Sequence, residues 1–200
     1  MIPMDAFIAQ FSAGFFHNQE KDPWEITSNL TNIIEALFRE LDAGYTIANG
    51  IALHKTAIIE SNVVLKAPAI IGADCFIGAN AYLRNGVYLG KSVKIGTGCE
   101  IKTSIIFDNS AIAHFNFIGD SIIGSHVNFE AGAIAANHYN ERADKKISVF
   151  YNAARIETHC EKFGSLVGDH SKIGANAVLS PGTILKPQSI VKRLELIEQN

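Results

Sequence analysis

Long hydrophobic runs are missing from this chain. No apolar stretch approaches the ~20 residues that a membrane-spanning helix requires. The apolar start, MIPMDAFIAQFSAGFF, is interrupted by Asp5 and Gln10 and has no basic leader, so no signal peptide is expected. Basic clusters are equally scarce. None is denser than Lys145-Lys146 or Lys192-Arg193, and the net charge is −3, which argues against a nucleic-acid partner. Cysteine is limited to Cys75, Cys99 and Cys160, an odd number without CxxC spacing. That excludes a disulfide framework and points to a reducing, cytoplasmic location. Only 18% of the 200 residues are charged and 48% are hydrophobic, a balance that buries a core and excludes disorder.

What the chain does have is a repeat. From Leu53 an aliphatic or aromatic residue returns every six positions at Ile59, Leu65, Ile71, Ile77, Leu83, Leu89, Ile95, Ile101 and Phe107. Four places after each stands a small or β-branched residue: Ala57, Val63, Ala69, Cys75, Ala81, Val87, Val93, Cys99, then Ile105 and Ala111. The frame then slips by two five-residue steps to Ile118 and Ile123. It continues through Phe129 and Ala135 and returns at Val167, Ile173, Leu179 and Leu185. Neither a helix nor an ordinary strand repeats at six. One bulky and one small inward position per six residues suit a short strand and a tight turn. Three such units close a triangular coil, and coils stack at the ~4.8 Å strand spacing. The expected fold is all-β, a left-handed parallel β-helix. Cys75 and Cys99 fall on its small inward position and are expected to be buried.

Residues 1–49 have a different texture. Asp22, Pro23 and Glu25 form a capping-box signature. Ile26, Leu30, Ile33, Ile34, Leu37, Phe38 and Leu41 follow at helical spacing, with Gly44 as the stop. A short α-helical segment is expected there, leaning on the first coils of a β-helix domain at 50–200. Trp24 and the Phe7/Phe11/Phe15/Phe16 group are read as packing residues. Between about 138 and 166 the hexads are suspended, so the chain leaves the coil in one long excursion loop. A hairpin through KKISVFY is expected within it, and excursions of this length are usually functional.

The residue after the bulky position is usually Gly or Ala, but Arg84 and Lys102 occupy it, 18 residues apart. One coil apart, the two cations stack on one face and repel each other unless an anion lies between them. His114 follows on an outward position where the frame slips.

The stretch AHFNFIGDSIIGSHVNFEAGAIAANHYN, with YLRNG and CEIKTS before it, resembles the acetyltransferase domain of bifunctional N-acetylglucosamine-1-phosphate uridyltransferase/glucosamine-1-phosphate acetyltransferases. The excursion and the later KFGSLVGDHSKIGANAVLSPGTIL are closer to the archaeal sugar-1-phosphate nucleotidyltransferase/amino-sugar acetyltransferases. The resemblance covers residues from about 52 to the C-terminus. It implies acetyl transfer from acetyl-CoA to the amine of an amino-sugar 1-phosphate, without a metal. His114 would be the general base, a role suited to histidine at neutral pH. Arg84 and Lys102 would hold the phosphate, and Asn128 the sugar. Asn137 would place the acetyl group, with the main-chain N–H of His138 at the oxyanion. Phe117 stands where the family carries a sugar-contacting tyrosine, and His138 where it carries another. CoA would run along the later coils past Gly168, Ser180 and Pro181, its phosphates near Lys186, Lys192 or Arg193. Such enzymes are homotrimers with the site between neighbouring β-helices. No nucleotidyltransferase signature is read at the N-terminus, which leaves the identity of the acceptor open and a separate nucleotidyltransferase as one candidate partner.

Three other readings compete. One is a lipid A-type UDP-sugar O-acyltransferase using an acyl carrier protein donor. Another is a sugar-phosphate-binding or regulatory trimer without activity. The third, a γ-type carbonic anhydrase, needs a histidine zinc site. His114, His126 and His138 are twelve apart but fall on different hexad positions, so they are not expected to converge.

Overall fold

A computed structural model describes residues 1–17 and 19–198; the last two positions of the 50–200 domain lie outside the described residues. Short strands stack into about eight coils of a left-handed parallel β-helix. Thirteen strands form one sheet that wraps two faces of the prism, because strands Tyr82–Leu89 and Glu100–Ile106 run round a corner. Seven more strands form the third face. The bulky hexad residues point inward in one continuous file from Ile71 to Val191, with Ala69, Cys75, Ala81, Val93, Cys99 and Ala133 between them.

The slip in the repeat begins earlier than the spacing suggests. Leu83 pairs with Ile101 but Leu89 pairs with Ile106, so the interval between rungs shortens from 18 to 17 residues within one strand pair. Ile106, not Phe107, is therefore the inward residue, followed by Ile112. Ser110 takes the small inward place expected of Ala111, with its hydroxyl donating to Gly124 O at 2.7 Å. The two five-residue steps end at Ile106 and Ile123. Each contains a serine that closes the tighter corner: Ser104 Oγ donates to Lys102 O, and Ser121 Oγ to Gly119 O, both at 2.7 Å. Each hydroxyl also accepts the amide of the next rung, from Ser121 and Ser165. A hydroxyl ladder thus substitutes for the missing residue's backbone groups.

Outside the coil lies a second apolar core. Ala52, Ile70, Tyr88, Ile105, Ile122 and Leu166 follow one another up one outer face. They are buried under the N-terminal segment and the excursion. Phe11, Phe16, Tyr88 and Phe107 form one cluster with ring centroids 5.1–6.4 Å apart, Phe11 stacked on Phe16 and the other contacts edge-on or tilted, so the phenylalanines are packing residues as expected. The capping box at Asp22 is formed, with Glu25 Oε2 accepting the Asp22 amide at 2.9 Å. The expected single helix is two: α1 (Pro23–Ser28) and α2 (Leu30–Leu37), broken at Asn29 and finished by a 3₁₀ turn at Phe38–Glu40. Gly44 is not the stop. Tyr45–Ala48 is instead a strand paired antiparallel with Ile51–His54. In the excursion, Ser148–Tyr151 pairs antiparallel with Ala154–Glu157, the hairpin anticipated through KKISVFY.

Cys75 and Cys99 are inside the coil, and their thiols donate to Gly90 O at 3.0 Å and Ala113 O at 2.7 Å. Burial pushes the Cys75 thiol up to about 11, and Cys99 also upward. A thiol titration of the native protein near pH 8 should therefore count one fast group per chain, Cys160. All three should react only after denaturation.

Candidate functional site

Arg84 and Lys102 face each other on adjacent rungs, as the 18-residue interval requires. Their repulsion is relieved within the chain. Arg84 Nη2 lies 2.7 Å from Glu100 Oε1, and Lys102 Nζ lies 2.5 Å from Asp120 Oδ2. The Lys102–Asp120 pair is the more deeply buried, at 8% and 6% exposure. No external anion is needed to account for the stacked cations.

Asp120 is the junction of this edge. The same Oδ2 accepts a short hydrogen bond from Asn137 Nδ2. Its amide donates to Lys102 O at 2.8 Å, and its carbonyl accepts from Gly164 N at 2.9 Å. Phe163 N donates to Asn137 O at 3.0 Å. The excursion thus leaves and rejoins the coil at one point, beside Lys102. Gly119, next to it, must lack a Cβ, which would lie 2.7 Å from the Phe117 ring and 2.9 Å from Asn137 Cγ. Phe117 therefore leans across the face toward Asn137.

The remaining expected residues are held apart within one chain. His114 is exposed at the opposite edge of that face, in the corner between strands Ala111–Ile112 and Phe117–Gly119. Its carbonyl accepts from Gly132 N at 2.9 Å and Asn116 Nδ2 at 3.3 Å. Asn128 is exposed on the third face, paired between Ala111 and Lys172. It lines an open groove of about 510 Å³ with Lys172, Lys192 and Arg193. In that groove Glu130 receives Arg193 through Nε at 2.7 Å and Nη2 at 2.9 Å. Those hydrogen bonds hold the Glu130 carboxyl down at about 2.

His138 is exposed at the start of the excursion, and Lys186 is exposed beside Gly168. Ser180 and Pro181 are buried beneath the excursion, where Tyr139 Oη donates to Pro181 O at 3.0 Å. Lys192 is thus on a different surface from Ser180 and Pro181. His126 stacks on His170, with centroids 4.8 Å apart. No group of three or more His, Cys, Asp or Glu placed to hold a metal occurs among the described residues.

Glu100 and Asp120 were not anticipated. Asp120 stands one residue past Gly119, which pairs with Lys102, so the 18-residue spacing alone does not mark it.

The chain matches the GMPPB C-terminal domain family over residues 77–139. It is 31% identical over 189 residues to the bifunctional protein GlmU of Methanococcus maripaludis, covering 92% of this chain and 45% of that protein. It is 35% identical over 81 residues to the bifunctional sugar-1-phosphate nucleotidylyltransferase/acetyltransferase of Sulfurisphaera tokodaii, covering 40% of this chain and 20% of that one. The chain spans less than half the length of these curated relatives. Among solved structures, a hexapeptide transferase family protein from Anaplasma phagocytophilum aligns at 20% identity and TM-score 0.29, covering 72% of this chain and 70% of that one. A perosamine N-acetyltransferase mutant from Caulobacter crescentus, in complex with CoA and GDP-perosamine, aligns at 15% identity and TM-score 0.35, covering 83% and 63%. Alignments at such TM-scores add nothing to the argument.

Repeat, fold and sequence together give the chain its resemblance to the hexapeptide-repeat acyltransferases. Within that class, the likeness is to the acetyltransferase domain of GlmU-type bifunctional proteins. No helix among the described residues is long and apolar enough to cross a membrane.

Proposed function

We propose that the chain is an acetyl-CoA-dependent N-acetyltransferase acting on an amino-sugar 1-phosphate of the glucosamine-1-phosphate kind. One observation carries the reading: Arg84, Lys102, Phe117 and Asn137 meet on one face of a chain 31% identical over 189 residues to a bifunctional GlmU. His114 takes the proton from the acceptor's ammonium. The freed amine attacks the thioester carbon, the C–S bond breaks, and the second proton lost by the nitrogen goes to the leaving sulfur, so that CoA departs as the thiol. The reading takes transfer as direct, and Cys75 and Cys99, sealed inside the coil, do not carry the acyl group.

His114 stands at one edge of the face and Lys102 at the other, so a complete site needs the His114 edge of one copy beside the Lys102 edge of the next. Such a head-to-tail contact can close into a ring, and the resemblance to the trimeric acetyltransferases makes that ring a homotrimer. Asn128 and Asn137 bond the sugar and acetyl group, and the His138 N–H meets the oxyanion. The donor lies along the later coils past Gly168, with Lys186 at its phosphates; Ser180 and Pro181, buried beneath the excursion, and Lys192, on another surface, stand off that path. The enzyme works in the cytoplasm.

The test is thiol release by the wild-type protein from acetyl-CoA with glucosamine 1-phosphate. Saturable release that needs the sugar phosphate is expected. Transfer only from an acyl carrier protein to a UDP-sugar would install the lipid A-type reading. Silence with both donors would leave a non-catalytic module. The internal pairing of Arg84 and Lys102 with Glu100 and Asp120 is what that last reading has in its favour.

A further inference from the structure

Arg84 and Lys102 are the later two members of a longer file. Lys66 stands 18 residues before Arg84, and it too directly follows a bulky inward residue, Leu65. Leu65 pairs with Leu83, and Lys66 N donates to Leu83 O at 2.8 Å, so Lys66 opposes Arg84 on the rung below. Three cations therefore follow one another at the ~4.8 Å rung spacing, over roughly 10 Å of one face. The arithmetic that stacks Arg84 on Lys102 marks Lys66 equally.

The file is neutralised unevenly. Glu100 and Asp120 both serve its Arg84–Lys102 end. Lys66 is exposed, and its ammonium has no carboxylate partner or hydrogen bond among the described residues. It lies 5.6 Å from the centre of the Tyr82 ring, and the Arg84 guanidinium carbon lies 5.8 Å from the same centre. Arg84 also keeps donors in reserve. Its Nε and Nη2 both reach one Glu100 oxygen, Oε1, at 2.7 Å, which leaves Nη1 without a partner among the described residues. Lys66, Arg84, Lys102, Glu100 and Asp120 together carry one net positive charge, and it sits at the Lys66 end.

We propose that Lys66 and the free Nη1 edge of Arg84 form a second anion position, one rung from the position at Arg84 and Lys102. One phosphate bridges two rungs, and a third cation in line suits a second phosphate bonded to the first. The acceptor class that fits is a diphosphate-linked amino sugar, the form in which nucleotides carry sugars, with the sugar 1-phosphate unit as its inner half. Arg84 lies between the two phosphates and serves both. Lys66 supplies the unmatched charge for the outer one. The inference rests on the amino-sugar phosphate reading and extends it, and its test separates the two.

Lys66→Met removes the charge from an exposed side chain and leaves the backbone bond to Leu83 in place, so folding is preserved. Lys91→Met serves as the control. Calorimetric titration with pyrophosphate and with inorganic phosphate reads the two positions without turnover. Wild type should bind pyrophosphate about tenfold or more tighter than phosphate, because hydrogen bonds to charged groups are worth that much. Lys66→Met should lose the preference while its phosphate affinity stays within about twofold, and Lys91→Met should keep it. In turnover, kcat/KM for UDP-glucosamine should exceed that for glucosamine 1-phosphate, and Lys66→Met should abolish the difference. If wild type acetylates neither sugar but shows a Lys66-dependent preference for pyrophosphate, the second position stands and the acetyl-transfer reading falls. If it acetylates glucosamine 1-phosphate without preferring pyrophosphate, that reading stands and the second position is overturned. Lys66→Met that weakens both anions alike, or neither, also overturns it.

Discussion

Replacing His114 by alanine should lower kcat for acetyl transfer by about 10²- to 10⁴-fold, the range of a lost general base. Stability should stay within about 0.5 kcal/mol, as for a surface residue that packs against nothing. The two expectations separate because of where His114 stands. Its side chain is exposed at a corner and makes no hydrogen bond among the described residues, while its carbonyl, which alanine retains, carries the bond from Gly132. Activity loss with an unchanged urea midpoint therefore reads chemistry alone. A variant that keeps its rate would remove His114 from the mechanism, whatever the wild type turns over. The neighbouring Phe115 makes the corner worth defending. It is 70% exposed at φ +56, a conformation that bulky residues avoid, and its ring covers Gly98 of the coil below.

The fold was readable wherever its physical rule is a period. From Leu53 to Ile101 every inward residue follows from spacing alone, because each rung repeats the same strand and corner. Reading failed at Ser104. A five-residue step closed by a hydroxyl looks, in a search for apolar residues, like no step at all. Phe107 then passed for an inward residue, since the outer face it occupies is apolar too, covered by Phe11 and Phe16 of the N-terminal segment. Amphipathic pattern cannot distinguish two sides that are both buried.

The break between α1 and α2 escaped for a related reason. Ile26, Leu30, Ile33 and Ile34 keep one buried face across Asn29, so the pattern continues while the backbone does not. At the site, the stacking of Arg84 on Lys102 followed from coil arithmetic. Their neutralisation by Glu100 and Asp120 did not, because the shortened rung pairs Lys102 with Gly119 and brings Asp120 in one residue later. What no spacing contained was the approach of Lys162 and Thr31 to Asp120 around one groove, which arises only when two segments far apart in sequence fold over one face.

Lys102→Ala should destabilise the protein by about 3 kcal/mol, near the lower end for breaking a buried ion pair. The loss arises chiefly from what stays behind. Asp120 is 6% exposed, and without Lys102 its carboxylate keeps only the Asn137 amide as a side-chain donor. At this chain length the melting point should fall by roughly 6–12 °C at fixed protein concentration. The double variant Lys102→Met/Asp120→Asn should recover most of that loss. It removes both charges together, asparagine tolerates the φ of +45 at position 120, and its amide oxygen still accepts from Asn137. A urea-denaturation cycle over the two single variants and the double measures the coupling directly. Coupling below about 0.5 kcal/mol would mean that water, not Asp120, neutralises Lys102. Strong coupling would mean that the edge carrying Lys102, Asn137 and the two ends of the excursion is set by one buried carboxylate before any ligand arrives.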